Sequence, residues 1–280
     1  MTPAHPHPMS RGSMAIAAFS TVVEWYDFTL YIYFATVLAR VFYGGGEGSL
    51  LITLGGFAVA YLLRPLGAVV FGHIGDRYGR RHMLLMSVAL MTAAMLAVAL
   101  LPTRAAIGPA AGWLLFALRC VMGFSVGGEY TGVVAYLLEG AAPGRRGLIA
   151  SSASAASEIG ALLAVGVSAL TVAALSETDL QSWGWRIPFF VGAALAASVW
   201  IARASLHESP EFTRQQAAGT VPERPLHFAL THYRAGIARA FAISALGSIT
   251  YYVGITYVPA FLTSAGALTE RDALWLSTIA

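Results

Sequence analysis

Seven long apolar runs constrain this chain of 280 residues more than any other feature of its sequence. A bilayer core of about 30 Å is crossed by about 20 helical residues at 1.5 Å each, and every run reaches that length. The runs are continuous and lack the ten-residue alternation of a membrane barrel, so they predict helices. Only 11% of the residues are charged, against about 25% in soluble domains, which excludes a water-soluble globule. The predicted spans are 14–42, 50–74, 83–102, 110–138, 148–175, 186–205 and 236–264, and an eighth begins at Asp272.

The arginines predict which side of the membrane each loop faces. All 17 basic residues are arginine, and positive residues concentrate in cytosolic loops. With the N-terminus in the cytosol, three arginines (Arg104, Arg186 and Arg271) fall outside and eleven inside. We therefore expect a multi-pass protein of the plasma (inner) membrane with a cytosolic N-terminus. The inner set is Arg11, Arg77, Arg80, Arg81, Arg145, Arg146, Arg203, Arg214, Arg224, Arg234 and Arg239.

One long polar segment interrupts the apolar pattern, beginning at His207 and containing three prolines. Six spans precede it, which is typical of a transporter built from two helical bundles. We predict a cytosolic tail at 1–13, a six-helix bundle at 14–206, a linker at 207–235 and the start of a second bundle at 236–280. The predicted fold class is therefore an all-α membrane protein whose first bundle is complete and whose second ends after about two helices.

The most unusual segment of the first span is EWYDF, which places two acids in an apolar run. Three residues advance a helix by 300°, so Glu24 and Asp27 lie about 60° apart and about 4.5 Å apart in height. Tyr31 follows on the same face. Two adjacent carboxyls disfavour each other's ionisation, which suits a group that exchanges protons near neutral pH. The alternative is a pair neutralised by Arg64 or Arg119, without a proton role.

The fourth span carries two more charges at membrane depth, Arg119 and Glu129. A charge there costs roughly 2.5–3.5 kcal/mol on insertion scales and needs a partner or water. Gly123 and Gly127 leave a thin helix face that allows close packing. We interpret both charges as functional, and the alternative for Glu129 is an ion pair that only holds helices together. Trp183 and Trp185, at the outer start of the sixth span, are interpreted as members of an aromatic belt.

Five segments resemble the metabolite:proton symporter branch of the major facilitator superfamily, which includes proline/betaine, 2-oxoglutarate, citrate and shikimate carriers. They are EWYDF, LLRPLGAVVFGHIGDRYGRR, MGFSVGGEYTG, SWGWRIPFF and LHESPEF. The resemblance implies twelve helices in two bundles, alternating access and a solute site at the membrane midplane. We therefore expect this chain to be a fragment of a longer product. Glu158 in the fifth span departs from the pattern of the osmolyte carriers, and it is a further candidate for coupling or for pairing with an arginine.

The resemblance also assigns a gate to the loop between the second and third spans and to the end of the fourth. In the superfamily these segments form a latch that holds the cytosolic side closed. The resemblance gives this role to Gly72, Asp76, Arg77, Gly79, Arg80, Glu139 and Arg146.

The expected function is proton-coupled symport of a small polar metabolite, either an organic acid or a zwitterionic osmolyte, by alternating access. The resemblance implies as partners a solute, protons and the lipid bilayer, with no nucleic acid, and we expect a monomer. We expect no enzyme activity, no cofactor and no metal. The alternatives are an efflux antiporter of the same superfamily and a truncated homologue that does not transport. The proton-coupling and cavity candidates are Glu24, Asp27, Tyr31, Arg119, Glu129 and Glu158.

Overall fold

The computed structural model describes residues 11–251 and 253, except 47, 140, 143 and 222–224. The regular elements in this part of the chain are all helical. They are α1 (Arg11–Tyr33), α2 (Ala35–Tyr43), α3 (Ser49–Tyr61), α4 (Arg64–Tyr78), α5 (Arg80–Ala99), α6 (Arg104–Ile107), α7 (Ala110–Val126), α8 (Glu129–Glu139), α9 (Arg146–Ala174), α10 (Glu177–Asp179), a π-helical turn (Leu180–Gly184), α11 (Arg186–Ala204), α12 (Pro210–Ala217), α13 (Pro225–His232) and α14 (Arg234–Tyr251).

Five helical stretches of the described chain are long and apolar enough to cross a membrane, and they agree closely with predicted spans two to six. The first predicted span is also helical and corresponds to α1 and α2, and the described part of the seventh corresponds to α14. Neither of these two spans is among the five stretches. The end of the seventh predicted span and the whole of the eighth lie outside the described residues. The five stretches are Ser49–Tyr78, Arg80–Ala99, Ala110–Glu139, Arg146–Ala174 and Arg186–Ala204.

Predicted spans one, two and four are each broken into two helices. The first breaks at Phe34, the second at residues 62–63 and the fourth at residues 127–128. Pro65 explains the second break, because its ring clashes with the preceding turn and it has no N–H to donate. The helices α5, α9 and α11 are unbroken. Interrupted helices at membrane depth are tolerated where they are buried in protein or line a cavity.

The first six predicted spans pack as helix pairs, and in some of these pairs the two backbones meet at a glycine. α1 packs on α9, α5 on α11, and α3 and α4 on α7. A β-carbon at Gly160 of α9 would overlap the carbonyl oxygen of Val22 on α1, and one at Gly127 would overlap the carbonyl oxygen of Arg64. Small residues are needed at such crossings because the two backbones are in contact.

Trp185 belongs to the interior of the bundle, so its interpretation as part of an aromatic belt is wrong. Its side chain is fully buried. Its ring meets Phe42 edge-on, with centroids 4.9 Å apart, and it also contacts Phe189. Trp185 directly precedes α11, and Phe189 lies four residues later on the same inward face. Trp183 is half exposed.

The chain divides into two compact units, residues 1–223 and 224–280. In the first unit, α12 is anchored by the buried ring of Phe212, and the hydroxyl of Ser209 accepts a hydrogen bond from the Phe212 N–H as an N-cap. The second unit contains α13 and α14, and α14 is exposed along almost its whole described length. The division falls within the predicted linker at 207–235, and the predicted domain boundaries stay predictions.

Candidate functional site

Asp27 on α1 and Arg119 on α7 form a buried, two-pronged ion pair. The two guanidinium nitrogens lie 2.9 and 2.8 Å from the two carboxylate oxygens, and the side chains are only 3% and 5% exposed. The guanidinium also lies over the ring of Tyr31, 4.5 Å from its centroid. Tyr31 stacks on Phe57 and donates a hydrogen bond to the carbonyl of Thr53. The parallel fork geometry fixes both charged groups in one orientation.

Glu24 on α1 pairs with a different arginine, Arg64, at the first residue of α4. One carboxylate oxygen lies 3.3 Å from the Arg64 guanidinium. The other, Oε2, is buried and has no hydrogen-bond partner among the described residues. Arg64 is 23% exposed, and its guanidinium lies over the rings of Tyr61 and Phe28, 4.6 and 5.3 Å from their centroids. The ion pair of Glu24 is therefore longer and more exposed than that of Asp27, and it uses only one of the two carboxylate oxygens.

Both arginines open onto one small cleft between α1, α3, α4 and α7. Its walls combine two guanidinium groups with several aromatic rings. Aromatic walls with a few convergent polar groups are also found in small-molecule sites, but the volume of this cleft is about 20 Å³, enough for about one water molecule. The cleft is lined by Asp27, Phe28, Phe57, Tyr61, Arg64 and Arg119, among others.

Glu129 lies apart from this cleft, in a fully buried cluster at the start of α8. It forms an ion pair with Arg203 of α11, and the two side chains are 1% and 0% exposed. The hydroxyl of Ser87 donates to the second carboxylate oxygen. Arg203 also donates to Ser20 and to the carbonyl of Leu84, 2.6 Å away. The cluster thus joins four helices, α1, α5, α8 and α11.

Arg203 is the buried residue that the sequence interpretation missed, because it was counted among the inner loop arginines. Its place in the last turn of α11 puts it on the inward face of that helix. The signal was present in the sequence as a helical spacing of small and apolar residues that runs up to Arg203. The buried positions of α11 are Pro188, Phe189, Gly192, Ala193, Ala196, Val199 and Arg203.

Glu158 is not brought together with the other candidate acids. It lies on α9 with its side chain exposed. No ion pair involving it is present among the described residues. Its proposed role in coupling stays a prediction.

The candidate gate residues meet around Arg80, at the first residue of α5. Its guanidinium lies 2.9 Å from the carboxylate of Asp76 and 3.4 Å from that of Glu139, so it links α4 to the end of α8. Arg77 lies over the ring of Tyr78. Gly72 is half-buried, and Arg146 is exposed at the start of α9. The structure therefore brings Asp76, Arg80 and Glu139 into one charge cluster.

Glu208 binds beside this cluster, at the N-terminus of the same helix, and was not among the candidates. Its carboxylate accepts a hydrogen bond from the backbone N–H of Arg81, at 3.2 Å, and so binds the N-terminus of α5. An anion is favoured there by the unpaired N–H groups and by the helix dipole. Gly79 makes room for it: its φ is +105°, and a β-carbon at this position would overlap the Glu208 carboxylate.

The described residues hold no group of three or more histidine, cysteine, aspartate or glutamate side chains that suits a metal ion.

Comparison with known proteins gives consistent matches across most of the chain. The family profile described as "Sugar (and other) transporter" matches residues 13–221. The proline/betaine transporter of Salmonella typhimurium is 31% identical over 264 residues, 90% of this chain and 53% of that protein. The alpha-ketoglutarate permease of Escherichia coli is 34% identical over 267 residues, 94% of this chain and 61% of that protein. The chain thus spans about half the length of the curated relatives it matches.

A solved structure shares the fold. The xylose transporter XylE from Escherichia coli, in a partially occluded inward-open conformation, superposes with a TM-score of 0.66 at 20% sequence identity. The match covers 90% of this chain and 62% of that one. At this identity the similarity concerns the fold alone.

Proposed function

This chain belongs to the sugar (and other) transporter family of the major facilitator superfamily, and on that premise we propose that it takes part in proton-coupled uptake of a small metabolite bearing a carboxylate. Membership of a family of transporters supports a transport role for the protein that carries this chain. The transport role, the proton coupling, the solute class and the direction of transport are all parts of the proposal.

The names of several relatives support the solute class. They are described as carriers of proline and betaine, of alpha-ketoglutarate and of shikimate, and one as a citrate-proton symporter. All of these solutes carry a carboxylate, and two of them are zwitterions. A guanidinium or ammonium group within reach of the solute is well suited to bind such a carboxylate.

The observation that carries the proposal is the cleft in which Arg64 and Arg119 lie beside aromatic rings. Arginine recognises carboxylates through its planar fork of donors. The rings of Phe28, Phe57 and Tyr61 provide apolar walls, and aromatic faces also attract the quaternary ammonium of a betaine. The groups that line the cleft would therefore suit an organic acid or a zwitterion better than a neutral sugar.

The charge cluster around Arg80 supports alternating access as the mechanism. With the N-terminus in the cytosol, as the arginine distribution predicts, Asp76, Arg80 and Glu139 lie at the cytosolic ends of their helices. We propose that this cluster is the cytosolic latch. It would form and break as the two halves of the whole transporter alternate.

Uptake of radiolabelled 2-oxoglutarate, citrate, shikimate and glycine betaine tests the proposal, in cells that express the gene product carrying this chain. We expect accumulation of at least one of them, and its loss when a proton uncoupler is added. Uptake that ignores the uncoupler would exclude symport. Faster loss of preloaded solute from energised cells would favour the efflux antiporter instead.

A further inference from the structure

A second cavity, called the outer cavity here, lies between α2, α3, α6 and α7, at the end of the bundle that the arginine distribution predicts to face the outside. Its volume is about 350 Å³, within the range of about 300–1,000 Å³ that is usual for small-molecule sites. The cleft beside Arg119 measures only about 20 Å³. In this structure, space for a solute is therefore found in the outer cavity and not in the cleft. The outer cavity is lined by Tyr43, Ile52, Gly56, Arg104, Trp113 and Phe116, among others.

The aromatic walls of the outer cavity are fixed by contacts at two glycines. Tyr43 donates a hydrogen bond of 3.1 Å to the carbonyl of Gly112, and a β-carbon at Gly112 would overlap the tyrosine ring. Phe116 packs against Gly56, where a β-carbon would lie 3.3 Å from its ring. The ring of Trp113 meets that of Phe116 edge-on. These contacts hold the cavity in shape without a ligand, as is usual for small-molecule sites.

Arg104 supplies the positive charge of the outer cavity. Its side chain is exposed and forms no ion pair or hydrogen bond with any residue that the structure describes. Arg40, which borders a neighbouring cavity together with Arg104, is instead held by Glu177 at 3.2 Å. A guanidinium carries five N–H donors in a planar fork that matches a carboxylate. An anion that enters the outer cavity therefore meets a cation whose donors are free of protein partners.

The outer cavity and the cleft lie along the same two helices. On α3, Gly56 lines the outer cavity, and the next residue, Phe57, lines the cleft. On α7, Phe116 lines the outer cavity, and Arg119, about 4.5 Å further along the helix axis, lines the cleft. The cleft is thus the next space inward along the groove between α3 and α7.

We propose that the outer cavity is an entry site for the solute, in which Arg104 binds the carboxylate and the rings of Tyr43, Trp113 and Phe116 contact the rest of the molecule. This inference rests on the proposed function and adds a binding site that is separate from the cleft and from the ion pairs of α1. A cationic site at the mouth of the groove raises the local concentration of an anionic group. It therefore lowers the solute concentration at which uptake is half-maximal and leaves later steps unchanged.

Uptake rates measured against solute concentration test the entry site, in cells that express the gene product and with whichever labelled probe they accumulate. Arg104→Gln should raise the half-saturating concentration about ten-fold and retain the maximal rate, because it removes one charge-assisted contact that acts in binding. Arg104→Lys keeps the charge and should restore most of the affinity. Arg40→Gln, which removes a positive charge from the same face, is the matched control and should change neither quantity. An unchanged Arg104→Gln, or an equal shift in Arg40→Gln, would overturn the entry site.

Tryptophan fluorescence of the purified gene product measures binding without transport, since Trp113 lines the outer cavity. We expect 2-oxoglutarate, citrate, shikimate or glycine betaine to change the emission, and this change to be lost in Trp113→Phe and weakened in Arg104→Gln. A probe that gives this change but is not accumulated would remove the proposed function and leave the site.

The opposite result separates the two in the other direction. Accumulation of a probe that leaves the Trp113 emission unchanged would overturn the entry site and leave the proposed function standing. A response to added phosphatidylglycerol, with none to the four probes, would identify a lipid headgroup as the ligand of Arg104 and would likewise overturn the assignment to the solute.

Discussion

Arg203 and Glu129 form an ion pair in which neither side chain is more than 1% exposed, at the meeting point of α1, α5, α8 and α11. The pair links the end of the sixth span to the middle of the fourth. All of its contacts lie within the first unit and away from the cleft. An ion pair that joins helices is the alternative given for Glu129 from the sequence, and the functional interpretation of Glu129 stays a prediction.

Removal of one member of this pair should destabilise the bundle strongly. Arg203→Leu leaves the Glu129 carboxylate buried without its cation, which typically costs about 3–5 kcal/mol. We expect a clearly lower thermal midpoint in detergent for Arg203→Leu and for Glu129→Leu. The double variant Arg203→Leu/Glu129→Leu should be more stable than either single variant. Additive losses in the double variant would show that the two side chains do not depend on each other.

A larger residue at position 160 should lower the stability of the protein, because the backbones of α1 and α9 are in contact there. Gly160→Ala adds a β-carbon that overlaps the Val22 carbonyl, and overpacking typically costs about 1–3 kcal/mol. Gly166→Ala on the same helix is the matched control, since nothing lies within 4 Å of its added carbon. Thermal unfolding of the two variants should differ clearly. Equal midpoints would mean that the two helices can separate without loss.

Gly79 is constrained both by its backbone and by its neighbour, and the two effects can be separated. Gly79→Ala meets a positive φ and the Glu208 carboxylate, whereas Gly108→Ala meets a positive φ of +65° in open space. Backbone strain costs of order 1–3 kcal/mol. We expect the larger loss for Gly79→Ala, together with greater protease sensitivity near Arg80. If Gly108→Ala is equally damaging, the Glu208 contact is unimportant.

The Arg80 cluster should control the cytosolic side of the protein. Arg80→Ala removes the link between Asp76 and Glu139 and should favour the conformation that is open to the cytosol. A cysteine placed at Gly72 in a cysteine-free background should then react faster with a membrane-impermeant maleimide in inside-out vesicles. Arg214→Ala breaks an exposed pair with Glu211 in α12 and serves as the control. Unchanged labelling in Arg80→Ala would contradict the latch.

The positions of the helices follow from hydropathy, because a span of about 20 apolar residues can only be a helix in lipid. The common face of Glu24, Asp27 and Tyr31 likewise follows from the helical period. The break at residues 127–128 falls on a glycine pair, which weakens a helix locally. The break at Phe34 has neither a proline nor a glycine beside it, and no local pattern in the sequence predicts it.

The sequence alone also does not predict which acid pairs with which arginine. Arg64 and Arg119 were both named as partners for the acids of α1, yet the pairing depends on the height and rotation of α4 and α7 against α1. The pairing of Arg203 with Glu129 is likewise not predictable from the sequence. Its distance along the chain from Glu129 says nothing of their contact, because only the folded bundle brings α8 and α11 together.

The contact between Gly127 and the carbonyl of Arg64 ties the break in the fourth span to the break in the second. No larger residue fits at position 127 unless α4 moves, and any movement of α4 carries Arg64 with it. A substitution of Gly127, which does not line the cleft, would therefore change the position of Arg64, which does. Under the proposed function, selectivity for solutes in an evolving or engineered lineage would be open to change at position 127 as well as at the residues of the cleft.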